Sequence, residues 1–159
     1  MPDLRREKRF YMLHNRFVLG KKSKEVLKNL HPFWGLIIPE VLRLVDISLI
    51  EGLRGSTTQT QYLSTGKTKL PWPLSRHNRT LDPSLKSFEY TVSDAVDLIP
   101  YPSGYGDMDR MVEVAQIVLY VAKQKGIKVR WGGDWHGNGK INNGPNDFFD
   151  PWHFELVFD

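Results

Sequence analysis

The sequence predicts an α+β domain: a small, mainly antiparallel sheet with helices packed on one side. Three observations lead there. A long amphipathic helix is written over "DMDRMVEVAQIVLYVAKQKG". Short β-branched runs closed by glycine or proline surround it, at "ISLIEGLRG", "EYTVSDAVDLIP", "IKVRWGG" and "WHFELVF". The order of elements is helices, strand, helix, strand, long helix, strand, loop, strand.

Each element has a local cause. "SKEVLKNL" begins at Ser23, a candidate N-cap, and puts Val26, Leu27 and Leu30 on one face. "HPFWGLIIPEVLRLVD" starts a second helix at Pro32, and Pro39 is expected to kink or re-cap it. "TTQTQYLSTG" is a short helix closed by Gly66. From Lys67 to Tyr90 runs a long polar stretch holding Pro71, Pro73 and Pro83, too long for a plain connection in a compact domain. The long helix is capped by Asp107 or Asp109. It carries the stripe Met111, Val114, Ala115, Val118, Leu119 and Ala122, and ends with Lys123, Lys125 and Gly126. A Gly/Asn-rich loop from Gly132 to Asn146 precedes the final strand.

With 159 residues, 40% hydrophobic and 25% charged, the chain can bury a core as one domain. The absence of cysteine excludes disulfides, thiol catalysis and cysteine zinc fingers, so a metal site must use His, Asp and Glu. The net charge is +4, with an excess of cations from Met1 to Lys22. That stretch reads as a basic arm, either plainly solvated or in contact with an anionic envelope surface. No nucleic-acid recognition motif accompanies it. There is no signal-peptide pattern and no apolar run long enough to span a bilayer, so a protein soluble in the cytoplasm is expected, and a monomer.

His14 and His31 lack an accompanying acid pattern and read as structural or surface residues. His77, His136 and His153 have carboxylates nearby. Asp97 sits in "AVDL" with Val96 and Leu98 pointing the other way, and His153 lies on the terminal strand. If these elements pack side by side, His77, Asp97 and His153 form a three-ligand set of the kind that leaves a catalytic zinc an open position. The alternative is a strand-end Asp97 and a satisfied core His153. His136 competes as a ligand from the glycine-rich loop. Trp131 and Trp135 either line a cleft or cover the core edge.

Three short motifs occur in order: Ser75-Arg76-His77, Ala95-Val96-Asp97 and Asp150-Pro151-Trp152-His153. With "EGLRG", "GKTK", "GGDW" and "HFEL" they make the chain, from about Ser23 to its end, resemble the zinc-dependent D-alanyl-D-alanine and L-alanyl-D-glutamate peptidases. These share a fold with the hedgehog signalling domain, and the phage lysis enzymes among them carry the last four motifs. The resemblance implies Zn2+ held by His77, Asp97 and His153, with Asp150 as the catalytic carboxylate and Arg54 contacting substrate and its developing oxyanion. Phe154 and Phe158 would face away from His153. Glu155 would share its face, as a hydrogen-bond partner or a surface carboxylate.

The chain departs from the family pattern in one place. His and Asp are commonly seven residues apart there, whereas His77 and Asp97 are twenty apart, so residues 78–91 read as an insertion bordering the site. Were Asp97 displaced by it, Asp82 or Asp94 would substitute. The resemblance implies a phage lysis enzyme cutting the L-alanyl-D-glutamate bond of peptidoglycan stem peptides, reaching the wall through a holin pore. The alternatives are a D-alanyl-D-alanine carboxypeptidase with the same metal, and a non-catalytic module that keeps the fold.

Overall fold

The computed structural model describes residues 16–78, 92–141 and 148–159. His14, Asp82, most of the basic arm and residues 79–91 of the expected insertion lie outside the described residues. Four antiparallel strands stand in the order β1-β2-β4-β3: β1 (Ile47–Glu51), β2 (Ala95–Pro100), β4 (His153–Leu156) and β3 (Val129–Trp131). The helices are α1 (Lys21–Lys28), α2 (Pro32–Val41), α3 (Ser56–Ser64) and α4 (Met108–Gln124).

Strand alternation divides β2 and β4 into two faces. Val96, Leu98, Phe154 and Leu156 are fully buried and join Met111, Val114 and Val118 of α4 in one core, with α2 packed on α4 behind them. Asp97, His153 and Glu155 take the other face. Burying this apolar set supplies most of the driving force for folding, at about 1.5–3 kcal/mol per large side chain.

α4 begins where Asp107 accepts a hydrogen bond from the Arg110 N–H at 3.0 Å, and it closes at Gly126, whose φ of +70° is left-handed. α2 starts at Pro32, and the buried His31 caps it by accepting from the Phe33 N–H at 3.1 Å. His31 is therefore structural, as its lack of acid neighbours suggested. Phe158 lies beyond β4 and packs against the His31 and Phe33 rings.

Four expectations are corrected. Pro39 does not re-cap α2, which runs through it to Val41; in the last turn its missing N–H forfeits a single bond. Ser23 is not an N-cap, because α1 starts two residues earlier with Gly20 as its cap. The Ser23 hydroxyl instead accepts from the Leu49 N–H at 2.9 Å and donates to the Leu49 carbonyl at 3.4 Å. α1 thus lies along the open edge of β1 and takes up its peptide groups. Phe17 and Leu19, placed in the arm by sequence, pack into the core. Among the described residues of "EYTVSDAVDLIP", the strand starts only at Ala95, because Ser93 turns its hydroxyl onto the Ala95 peptide at 2.6 and 3.1 Å.

Ser23→Ala leaves the buried Leu49 N–H without its partner, so the domain should lose about 1–3 kcal/mol of stability, measured by urea unfolding.

Candidate metal centre and active site

The β2–β4 register pairs Asp97 directly with His153, and the β1–β2 register pairs Glu51 with Asp97. Directly paired residues project on the same side of a sheet, so one row carries Glu51, Asp97 and His153. His77 comes from a 3-10 turn, Arg76–Asn78. Ser75 builds that turn: its hydroxyl accepts from the His77 N–H at 3.2 Å and its carbonyl from the Asn78 N–H at 3.0 Å. The turn is tied to the end of β1, where the Arg54 N–H donates to the His77 carbonyl at 2.8 Å.

The three side chains meet. His77 Nε2 lies 3.1 Å from Asp97 Oδ1 and 3.1 Å from His153 Nδ1, and His153 Nδ1 lies 3.3 Å from Asp97 Oδ1. A tetrahedral zinc with bonds of about 2.0–2.1 Å has ligand–ligand edges of about 3.3–3.4 Å, so the triangle has the size of one face of such a site. The outer ring nitrogens are already committed. His77 Nδ1 lies 2.8 Å from the Gly52 carbonyl, which can only accept, so Nδ1 carries the proton and Nε2 presents its lone pair to the centre. His153 Nε2 lies 2.8 Å from Glu155 Oε2, which directs His153 Nδ1 inward in the same way.

Glu155 is held in turn by Arg130, its cross-strand neighbour on β3, through Nε at 3.0 Å and a second contact from Nη2. The Arg130 guanidinium lies 5.7 Å over the Trp135 ring, and that ring sits 5.5 Å from the His153 ring. The two tryptophans divide the readings offered for them: Trp135 lines the cleft, and Trp131 is buried against Phe154.

Electrostatics follow from this packing. Burial opposes ionisation of Asp97, but His77 and His153 override it and hold the carboxyl well below the usual carboxylate range. Burial also opposes a charged His153, yet its hydrogen bonds to Asp97 and Glu155 raise it to about 10. Without a metal the centre therefore holds a proton, which is the charge an incoming cation replaces. Glu155 is lowered to about 2: burial works against its charge, and His153 and then Arg130 prevail.

Arg54 is buried beside this group. Its Nε and Nη2 bind Glu51 at 2.8 and 3.0 Å, its Nη1 binds Gln59 Oε1 at 2.9 Å, and its guanidinium lies 4.8 Å over the Tyr62 ring. Asn78 Nδ2 bonds the Arg54 carbonyl at 3.0 Å and Gln59 Oε1 at 3.2 Å. Asn78, the first residue of the expected insertion, is fully buried. Burial lowers the tendency of Arg54 to hold its proton, but Glu51 reverses this and its pKa is raised.

Asp150 reaches the same cleft through a tight turn in which the His153 N–H donates to the Asp150 carbonyl at 3.2 Å. Gly132 accommodates that turn: its N–H bonds the His153 carbonyl at 2.8 Å, and the Asp150 N–H bonds its carbonyl at 3.0 Å. A Cβ at Gly132 would stand 2.2 Å from the Asp150 carbonyl oxygen, so "GGDW" needs glycine there. Burial pushes the Asp150 carboxyl above its ordinary value, with Asp97 adding to the effect against the pull of His153, His77 and Arg54. The cleft lined by His77, Asp97, His153, Arg54 and Asp150 has a volume of about 730 Å³, and Tyr105 and Trp152 meet edge to face at 5.0 Å in its wall.

The family model of the phage L-alanyl-D-glutamate peptidases matches residues 15–157. The chain belongs to this family. It is similar to the L-alanyl-D-glutamate peptidase of Escherichia phage T5, 28% identical over 147 residues that cover 89% of this chain and 98% of the phage protein. Among solved structures it resembles the L-Ala D-Glu endopeptidase ChiX of Serratia marcescens, with a TM-score of 0.64 and 28% identity, covering 89% of this chain and 91% of that one. In this member of the family, His77, Asp97 and His153 are the one group among the described residues whose donor atoms converge as metal ligands would. His136 lies at an exposed loop position outside that group, and Asp94 is not needed in it.

Sequence reasoning gave no role to Glu51, the first residue of "EGLRG", or to the glutamine that follows it, Gln59. Glu51 is visible as an acid three residues before Arg54, but nothing local shows that it and Gln59, buried in an otherwise exposed helix, grip one guanidinium.

The depressed pKa of Glu155 gives a pH test. Its ionised form stabilises the fold fully above its unfolded value near 4.5, and that contribution fades as pH falls toward 2. The stability gap between the metal-free protein and its Glu155→Gln variant should be constant from about pH 5 to 7 and shrink below about 4.5, measured by denaturant titration at each pH.

Proposed function

We propose that the chain is a zinc-dependent peptidase that hydrolyses the L-alanyl-D-glutamate bond of bacterial peptidoglycan stem peptides and serves as a phage lysis enzyme. The observation that carries this reading is the inward-facing triangle of His77 Nε2, Asp97 Oδ1 and His153 Nδ1, set in one cleft with Asp150 and Arg54, in a chain of this family. Two imidazoles and one carboxylate, with no cysteine in the sequence, suit a catalytic zinc that keeps a position open. When bound, zinc lowers the pKa of a water toward ~7 and polarises the peptide carbonyl.

The chain supplies the remaining roles. Asp150, its carboxyl raised above its ordinary value by burial, takes the proton from the attacking water and delivers it to the leaving amine. Arg54 donates from Nε, Nη1 and Nη2 to Glu51 and Gln59, which leaves one hydrogen on each Nη for the charge that develops on the carbonyl oxygen. Held on both sides, the guanidinium needs little reorganisation as that charge appears. Glu155 and Arg130 keep the His153 lone pair aimed at the metal.

No helix among the described residues is long and apolar enough to cross a membrane. Our reading places the enzyme in the host cytoplasm until a holin pore admits it to the wall, with the cations of its first residues drawn to anionic envelope surfaces.

Digestion of purified peptidoglycan by the zinc-loaded protein should release peptides beginning at D-glutamate, seen by mass spectrometry, and a chelator should stop the release. Loss of a terminal D-alanine instead would assign a carboxypeptidase. Asp150→Ala should retain zinc and lose about 10²–10⁴-fold in turnover, the range of general acid–base catalysis. His153→Ala should purify without zinc by elemental analysis; full occupancy in that variant would remove His153 from the ligand set.

A further inference from the structure

The cations of the cleft fall into two kinds. Arg54 is bound to Glu51, and Arg130 is bound to Glu155. Arg76 also lines the cleft, half-buried, and its Nη1 is buried with no hydrogen-bond partner among the described residues. Lys67 and Lys69 also line the cleft, and neither is ion-paired among the described residues. Each ammonium instead rests against an aromatic face of the cleft wall, Lys67 at 5.0 Å from the Tyr62 centroid and Lys69 at 5.3 Å from that of Phe148.

The strap that carries them is anchored. The N–H groups of Lys67 and Thr68 both donate to the Tyr62 carbonyl, at 2.8 and 3.3 Å. Gln59 Nε2 donates to the Leu70 carbonyl at 2.6 Å, and the Thr68 hydroxyl accepts from the Leu70 N–H at 3.2 Å. Gln59 is the residue that also holds Arg54, so the strap and the guanidinium are positioned by one buried amide. Two exposed lysines with no acid partner among the described residues, on an anchored strap in a cleft, favour an anionic ligand. A glutamate within a peptide keeps one carboxylate beyond the one its chain linkage uses.

We propose that Lys67 and Lys69 form a carboxylate subsite that reads the free carboxylate of the substrate's D-glutamate and discriminates against stem peptides in which it is amidated. This rests on the peptidase reading above. The ammonium groups bind a charged carboxylate better than a neutral carboxamide, and the aromatic faces hold both lysines at the wall.

The test uses two synthetic L-Ala-D-Glu-L-Lys peptides, one with the free glutamate carboxyl and one with it converted to carboxamide. Calorimetric binding to the zinc-loaded Asp150→Asn protein separates recognition from turnover. The free acid should bind about tenfold more tightly, and adding Lys67→Ala and Lys69→Ala together should erase that preference. Both lysines are exposed, so the variant should keep the melting temperature of its parent. Equal binding of the two peptides, or a preference that survives removal of both lysines, would overturn the subsite. Turnover by the wild-type enzyme is read separately: cleavage of neither peptide would overturn the peptidase reading, while the binding comparison still decides the subsite.

Discussion

The pairing of Asp97 with His153 across β2 and β4 is the constraint on which the rest of the site depends. Because side chains alternate with a period of two, a slip of one residue would bury Asp97 in the apolar core and swing Val96 into the cleft. The core guards that register. Val96 and Leu98 on β2, and Phe154 and Leu156 on β4, are fully buried against α4 on the opposite face, so no slip is tolerated. The hydrophobic face thus sets the position of the polar one.

His77 does not lie on the sheet, and its placement depends on a different device. Ser75 winds the 3-10 turn, the Arg54 peptide binds it from the end of β1, and the Gly52 carbonyl fixes the imidazole tautomer. These three tethers run to residues before His77 in the chain, while the Ser93 hydroxyl, donating to the Arg76 carbonyl at 3.3 Å, reaches the turn from the β2 side. The segment between His77 and Asp97 can therefore be much longer than in the common family form without disturbing the triangle.

Charge is compensated in layers outward from the centre. Asp97 faces two imidazoles, His153 is backed by Glu155, and Glu155 by Arg130; separately, Arg54 is gripped by Glu51 and Gln59. An unpartnered buried charge would cost several kcal/mol, so each layer stabilises the one inside it. Asp150 stands apart. Burial raises its pKa and outweighs the pull of His153, His77 and Arg54, which suits the proton-transfer role we propose for it.

The sequence by itself determined what short-range physics controls. The α4 stripe, its Asp107 cap and Gly126 stop follow from turn-to-turn contacts, as do the Pro32 start of α2 and the Gly66 end of α3. The three motifs, with "EGLRG", marked His77, Asp97, His153, Asp150 and Arg54 as candidates for one site because the family writes them in a fixed order. Tertiary structure alone decided how they meet. Strand register joined residues separated by 76 positions, and the buried face of Ser23 turned an apparent cap into a clasp on β1. The grip of Glu51 and Gln59 on Arg54, the backing of Glu155 by Arg130 and the division of labour between Trp131 and Trp135 depend on which neighbours packing supplies. Such partners lie far apart in the chain or on opposite sides of a turn, and no local periodicity records them.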